Sequence, residues 1–142
     1  MFLDLYAMKL NKMKKKFTTL AIALSLVLSA FSQPGTEIDK VVSNLKTGNA
    51  TEISKYFDDY VQLTLPGESD SYSKARAVQI VKDFFANNNV SGFELKHKGE
   101  APSGHYCIGT LQTTNGNYRT NVFMKNKNNK EVIREIRFQL VE

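Results

Sequence analysis

The stretch FELKHKGEAPSGHYCIG, residues 93–109, contains both histidines of the chain, His97 and His105, and its single cysteine, Cys107. Imidazole and thiolate groups are the usual ligands of zinc, and histidine is also the commonest general base of enzymes. The alternative is an ordinary sheet whose inward positions happen to be histidine and cysteine. The strand register separates these interpretations, because register decides which side chains face each other.

We expect this stretch to form two antiparallel strands joined by a three-residue loop, 100–102. Such a loop would place His97 directly opposite His105, and Leu95 opposite Cys107. Cross-strand neighbours have Cβ atoms about 5 Å apart, so the two imidazoles would lie side by side on the core side of the sheet.

Two facing histidines are too few ligands for a metal site. A structural zinc site needs four ligands and a catalytic one needs three, whereas the neighbours expected on this face are Cys107 and Tyr118, with no carboxylate. We therefore predict no metal and no cofactor, and a buried, inert thiol at Cys107. Two roles stay open for the histidines: hydrogen bonding to the backbone, Tyr118 or water, or lining a small-molecule pocket.

The positive charge is concentrated at one end of the chain. Of the net charge of +5, residues 1–32 carry +4 and residues 33–142 only +1. A nearly neutral body lacks the basic surface that phosphate backbones attract, so we predict no nucleic-acid partner.

The lysine-rich start is followed by an apolar run, FTTLAIALSLVLSA, at residues 17–30. It has the length of the apolar region of a signal peptide and is shorter than the roughly 20 residues of a membrane span. We predict a signal peptide over residues 1–32, although an uncleaved anchor is the alternative. The small residues around position 30 place the new N-terminus at Gln33, and Met13 is a possible true start.

These features predict one domain over residues 33–142, secreted or periplasmic after cleavage, that meets the membrane only through its signal peptide. Apolar residues at helical spacing predict a helix over 36–48, a short one from Asn49 and a third over 73–89. Alternation and turn residues predict five strands, at residues 61–65, 93–98, 103–113, 117–125 and 132–141.

A two-residue turn at Asn115 and Gly116 is the strongest hairpin signal of the chain. It would pair Leu111 with Thr120 and Cys107 with Met124. One face of this hairpin would then carry His105, Cys107, Leu111, Tyr118, Val122 and Met124. Ile136, Phe138 and Leu140 are the apolar set of the last strand. For them to join this face, the connection between the last two strands, KNKNNKE, needs an odd-length loop or a bulge.

The opposite, outer face of the sheet mixes charged and apolar residues. Arg119, Lys125 and Arg137 would lie there with Ile108, Phe123 and Ile133. Mixed faces of this kind often pack against a second copy, so we expect that this face forms a homodimer.

Several stretches together resemble a known family: YFDDYVQLTLPG, YSKARAVQIVKDFF, FELKHKG, YCIGTLQTTNGNYRT and IREIRF. In this order and spacing they are similar to a family of small secreted bacterial proteins, catalogued as a domain of unknown function within the nuclear transport factor 2-like superfamily. The resemblance covers most of residues 37–142. It implies an α+β, cone-shaped fold in which N-terminal helices pack on a curved antiparallel β-sheet.

The resemblance implies no single activity. Related folds include a steroid isomerase, a dehydratase and polyketide cyclases, which use aspartate, histidine and tyrosine inside the cone, and also noncatalytic binding or dimerisation modules. We favour a noncatalytic module that binds a small apolar ligand or a protein, with His97, His105, Cys107, Tyr118 and Tyr56 as ligand-binding residues. The alternative is a general acid/base enzyme whose catalytic candidates are His105, Tyr118 and Asp58.

The signal peptide can be tested directly. When the full chain is expressed in a bacterium with a periplasm, we expect the exported protein to begin at Gln33, as read by N-terminal sequencing. Leu26→Arg interrupts the apolar run and should leave the protein unprocessed. An exported protein that keeps residues 17–30 would show an anchor instead.

Overall fold

The computed structural model describes residues 3, 4, 6–9 and 36–142, and the first six of these are helical. Residues 36–142 belong to one compact unit. The apolar run at 17–30 and the predicted cleavage site before Gln33 lie outside the described residues. Within the residues that are described, no helix combines the length and apolarity needed to cross a membrane.

The first two helices follow the sequence pattern closely. Helix α1 (Glu37–Thr47) starts at Thr36, whose N–H and hydroxyl both donate to the Asp39 carboxylate, at 3.0 and 2.9 Å. Gly48, with φ of 67°, ends it in the left-handed conformation that glycine adopts easily. Helix α2 (Ala50–Ser54) is capped by Asn49, as predicted.

Helix α2 is shorter than its apolar pattern suggested. Phe57, which follows Ile53 at helical spacing, already belongs to the first strand, β1 (Phe57–Leu65). The third helix, α3 (Lys74–Asn88), is confirmed. It ends at Asn89, which has a φ of 51°.

The strands form one six-stranded sheet in the order β2-β1-β6-β5-β4-β3. Neighbouring strands are antiparallel except for β1 and β6, which are parallel. The remaining strands are β2 (Glu68–Ser73), β3 (Val90–Ala101), β4 (Gly104–Thr113), β5 (Gly116–Lys127) and β6 (Lys130–Leu140). Five of the six were predicted, whereas β2 was missed because its side chains are polar and mostly exposed, so no apolar alternation marks it.

One face of the sheet, the inner face, is covered by helices: α1 contacts β3 and β4, and α3 contacts β1 and β2. Apolar side chains from both layers fill the space between them. Their most deeply buried members include Ile38, Val41, Leu45, Val61, Leu63, Val81, Leu111, Val122, Met124, Ile136 and Phe138. The opposite face, which points away from the helices, is called the outer face below.

The hairpin between β4 and β5 has a different register from the predicted one. Thr113 pairs with Gly116, so that Leu111 faces Tyr118 and Cys107 faces Val122. The turn therefore lies one residue earlier than expected, and each pairing shifts by two residues. Because strand side chains alternate with a period of two, this shift leaves every side chain on the predicted face.

The hairpin between β3 and β4 contains a bulge that the sequence did not reveal. Leu95 pairs with Gly109, but His97 pairs with Ile108, so Lys96 is an extra residue on β3. The predicted pairing of His97 with His105 is therefore wrong. The bulge turns His97 to the outer face, where its side chain is exposed.

The bulge expected near the last connection is confirmed. Phe123 pairs with Glu135 and Met124 with Ile133, so Arg134 is the extra residue on β6. One consequence differs from our expectation: the bulge turns Ile133 inward, where it is fully buried, instead of onto the outer face. Leu140 does lie opposite Tyr118, but it is 53 % exposed.

Candidate functional site

The three residues proposed for catalysis lie in three different places. Tyr118 on β5 pairs with Leu111 on β4. His105 is also on β4, six residues before Leu111. At about 3.3 Å per residue, His105 and Tyr118 are roughly 20 Å apart, too far to contact one small substrate. Asp58 lies on the outer face, so the structure does not bring these residues together.

Cys107 and Tyr118 are part of the packed core. Cys107 is fully buried, and this burial raises the pKa of its thiol to about 12. The Tyr118 ring meets the edge of Phe84 at 5.1 Å between centroids, and its hydroxyl donates to Asn88 Oδ1 at 3.1 Å. Both side chains therefore have partners that account for their burial.

His105 has a carboxylate partner that sequence reasoning missed. Its Nδ1 is hydrogen-bonded to Glu131 on the inner rim of the sheet, and the two side chains are 26 % and 11 % exposed. This bond raises the pKa of His105 above its ordinary value of 6.5. The bulge at Arg134 puts Glu131 on the inner face, so only a correct register could have revealed the pair.

A cleft of about 410 Å³ opens beside this pair. Glu131 and Tyr56, one of the predicted ligand-binding residues, both line it, together with Glu37, Lys55, Asn129, Lys130 and Val132. His105 is not among the lining residues.

The outer face carries a cluster of three rings and one aliphatic side chain that we call the aromatic patch: His97, Tyr106, Phe123 and Ile108. Tyr106 and Phe123 stack with 5.5 Å between centroids and an interplanar angle of 17°. His97 Nε2 is 3.0 Å from the Tyr106 hydroxyl. Phe123 is 42 % exposed, so the patch presents apolar surface to solvent although its rings already hold each other in place.

A small hollow of about 180 Å³ adjoins the patch, lined by Asn121, Phe123, Glu135 and Arg137. Asn121 Oδ1 is buried there and accepts no hydrogen bond from any described residue. A buried acceptor without a donor is costly, by about 1–3 kcal/mol.

Asp58 is an acid of the outer face whose pKa is strongly lowered by its surroundings. Its side chain is 8 % exposed, and Lys125 and Lys127 approach its two oxygens at 2.8 and 2.7 Å. Lys127 also contacts Asp59 at 2.8 Å. Burial alone would raise the pKa of Asp58, but the hydrogen bonds from both lysines outweigh it and hold the pKa well below its usual range.

These charges line a cleft of about 560 Å³ between β1, β6 and β5. We call it the Arg134 cleft, after the bulged residue of β6. Its lining residues are Asp58, Asp59, Tyr60, Gln62, Ser71, Lys125, Lys127, Arg134 and Glu135. In the described part of the chain no three histidine, cysteine, aspartate or glutamate side chains cluster as metal ligands would.

The curved sheet with helices on one face is a nuclear transport factor 2-like fold. The same fold occurs in an NTF-2 like protein of unknown function from Burkholderia xenovorans (TM-score 0.56, 12% identity, 74% of this chain and 81% of that one). The chain belongs to the DUF4783 family, a domain of unknown function, whose model matches residues 38–139.

Two solved family members are similar over most of their length. One, from Bacteroides ovatus, has 39% identity and a TM-score of 0.69 over 72% of this chain and 93% of its own. Another, from Bacteroides uniformis, has 35% identity and a TM-score of 0.69 over 72% and 94%. No curated protein matches the chain. The family and fold implied by the sequence resemblance are therefore confirmed.

The pair of His105 and Glu131 makes stability depend on pH. Because the folded pKa of His105 is raised above 6.5, the pair stabilises the fold fully below pH 6.5 and loses its effect as pH rises through the folded pKa. Glu131→Gln should therefore destabilise the protein by about 1 kcal/mol at pH 5 and progressively less at higher pH. Urea unfolding across this pH range measures the difference.

The imidazole titration of His105, followed by NMR, provides an independent readout. Its pKa should fall towards 6.5 in Glu131→Gln and stay unchanged in Glu94→Gln, a control whose carboxylate pairs with Lys96 on an exposed surface. The same His105 pKa in the wild type, Glu131→Gln and Glu94→Gln would contradict the pairing of His105 with Glu131.

Asp58 should stabilise the protein at neutral pH. Its folded pKa is below the ordinary 3.8, so its contribution is present above about pH 4 and is lost as pH falls towards the folded value. Asp58→Asn should cost about 2 kcal/mol in urea unfolding at pH 7. The difference in unfolding free energy between Asp58→Asn and the wild type should become smaller below pH 4.

Asp59→Asn is the matched control, because its side chain is 79 % exposed although it shares Lys127. We expect a change within about 0.5 kcal/mol, as is usual for exposed ion pairs. Equal effects of the two substitutions would show that the burial of Asp58 is irrelevant.

Proposed function

We propose that the protein is an exported, noncatalytic binding module whose outer sheet face binds a second copy of the chain. The observation that carries this proposal is the aromatic patch, an exposed and already ordered group of side chains on the sheet face opposite to the one that α1 and α3 cover. Aromatic residues are enriched in protein interfaces and supply much of their binding energy.

The arrangement of the patch favours association at low entropic cost. Tyr106 and Phe123 are stacked, and Tyr106 is also hydrogen-bonded to His97, so three side chains are held before any partner arrives. Binding normally costs about 0.5–1.5 kcal/mol for each side chain that it immobilises. A pre-ordered patch avoids most of that cost.

The surroundings of the patch suit pairing of the face with itself. In a two-fold dimer the same surface occurs on both sides, so it must offer both members of each interaction. Beside Phe123 lie a carboxylate, Glu135, and a guanidinium, Arg137. The unpaired oxygen of Asn121 is an acceptor that a donor from the second copy would satisfy.

The packing of the inner face supports a function on the outer face. Inner positions of β4, β5 and β6, such as Cys107, Val122 and Ile136, are fully buried. Protein interiors of this kind are packed as densely as organic crystals. A small apolar ligand held against Cys107 and Tyr118 would have to displace core side chains.

General acid/base catalysis by His105 is the second candidate function. The observation that favours it is the Glu131 partner, because a carboxylate that orients an imidazole is a common feature of catalytic bases. The distance to Tyr118 counts against the mechanism in which tyrosine is the hydrogen-bond donor. A turnover that survives His105→Ala, for any substrate found, would exclude this candidate.

Sedimentation equilibrium of the mature protein tests the dimer. We expect a dimer for the wild type, and at least tenfold weaker association for Phe123→Lys, because the substitution removes a ring and puts a charge into the interface. Leu140→Lys is the matched control, because Leu140 is an apolar residue on the inner side of the sheet that is 53 % exposed, somewhat more than Phe123 at 42 %. It should associate like the wild type, and a monomeric wild type would refute the proposal.

A further inference from the structure

We propose that the Arg134 cleft is a second binding site, and that its ligand is a small, hydroxyl-rich carboxylic acid such as an acidic sugar. This inference does not depend on the dimer. The aromatic patch involves β3, β4 and β5, whereas the cleft lies across β2, β1, β6 and the far end of β5. Glu135 lines both the cleft and the hollow beside the patch.

The cleft is formed by irregular pairing on both sides of β6. Towards β5, Arg134 is the extra residue of the bulge. Towards β1, Phe57 pairs with Ile133 and Gln62 with Glu135, so four residues of β1 oppose Arg134 alone. Bulges re-aim side chains and are frequent beside binding sites. The volume of about 560 Å³ is typical of a site for a small molecule.

The charges of the cleft leave one cation without a partner. Lys125 and Lys127 are engaged by Asp58, and Lys127 also by Asp59. Glu135 is hydrogen-bonded by Arg137. Arg134 forms no ion pair with any residue in the described part of the chain.

An unpaired arginine determines the charged part of the ligand. The planar guanidinium group of Arg134 matches a carboxylate, which it can bind through two parallel hydrogen bonds. One excess positive charge favours a ligand with a single negative charge over a doubly charged phosphate, because the lysine charges are already balanced by Asp58 and Asp59.

The rest of the lining determines the neutral part of the ligand. Tyr60 is 66 % exposed and lines the cleft, and an aromatic ring is a surface on which the apolar face of a sugar ring can pack. Gln62 and Ser71 supply amide and hydroxyl groups at the same cleft. A purely apolar acid would leave these groups desolvated without hydrogen bonds, at a cost that sugar hydroxyls avoid.

Isothermal titration calorimetry with galacturonic acid, its neutral analogue galactose and inorganic phosphate tests the inference. We expect the mature protein to bind galacturonic acid and to bind the other two at least tenfold more weakly. Arg134→Gln should weaken galacturonic acid binding at least tenfold, and Tyr60→Leu several-fold. The affinity should also fall as salt concentration rises.

Two controls separate the cleft from other effects. Arg76→Gln removes an exposed arginine of α3 that does not line the cleft, and should bind like the wild type. Phe123→Lys should also bind like the wild type, so that the dimer and the cleft can fail independently. Circular dichroism and thermal unfolding establish that each variant is folded.

Several results would overturn the inference. Absence of galacturonic acid binding at millimolar concentration refutes the site, and binding that Arg134→Gln leaves intact refutes its location. Equal affinity for galactose refutes the role of the carboxylate, and equal affinity for phosphate refutes the role of the hydroxyl groups.

Discussion

The packing of helices α1 and α3 against one face of the sheet is the constraint on which the rest of the structure depends. It requires an apolar surface on β1, β3, β4, β5 and β6, and the inner positions of these strands are accordingly mostly apolar. Most groups able to do chemistry lie at the rim and on the outer face. Cys107, Tyr118 and Thr120 are exceptions: the first two are packed in the core, and the Thr120 hydroxyl donates to the Tyr118 carbonyl oxygen.

The bulges reconcile this apolar surface with the connections between strands. In each bulge one strand gains residues, so the alternation of side chains is reset. At Arg134 the reset puts Ile133 on the inner face, and at Lys96 it puts His97 on the outer face. The irregular positions include the charged residues Lys96 on β3, Arg134 on β6 and Asp58 on β1. Gly109 permits the first of these, since a Cβ there would lie 2.4 Å from Glu94 O. The same events that complete the core therefore distribute the charges.

The charged groups differ in how much the surrounding structure fixes them. Asp58 is nearly buried and holds two lysines, so its position is determined by β1 and β5 together. Glu131 and His105 connect β6 to β4 across the rim, and Lys98 connects β3 to Asp39 of α1. Phe123 and Arg134 instead remain available to solvent or to a partner. This contrast between fixed and available groups assigns structural roles to the first set and recognition to the second.

The sequence by itself determined the helices, five of the six strands and the inner residues of β4 and β5, because each depends on local periodicity. It also determined membership of the family, from motifs in several segments. The positions of the apolar residues indicated an odd-length loop or a bulge at the connection to β6, and the bulge lies within β6. The polar strand β2, the bulge at Lys96 and the partners of His105 and Asp58 were decided only by the tertiary structure. Their positions depend on registers between strands, and a shift of a single residue moves a side chain to the other face of the sheet.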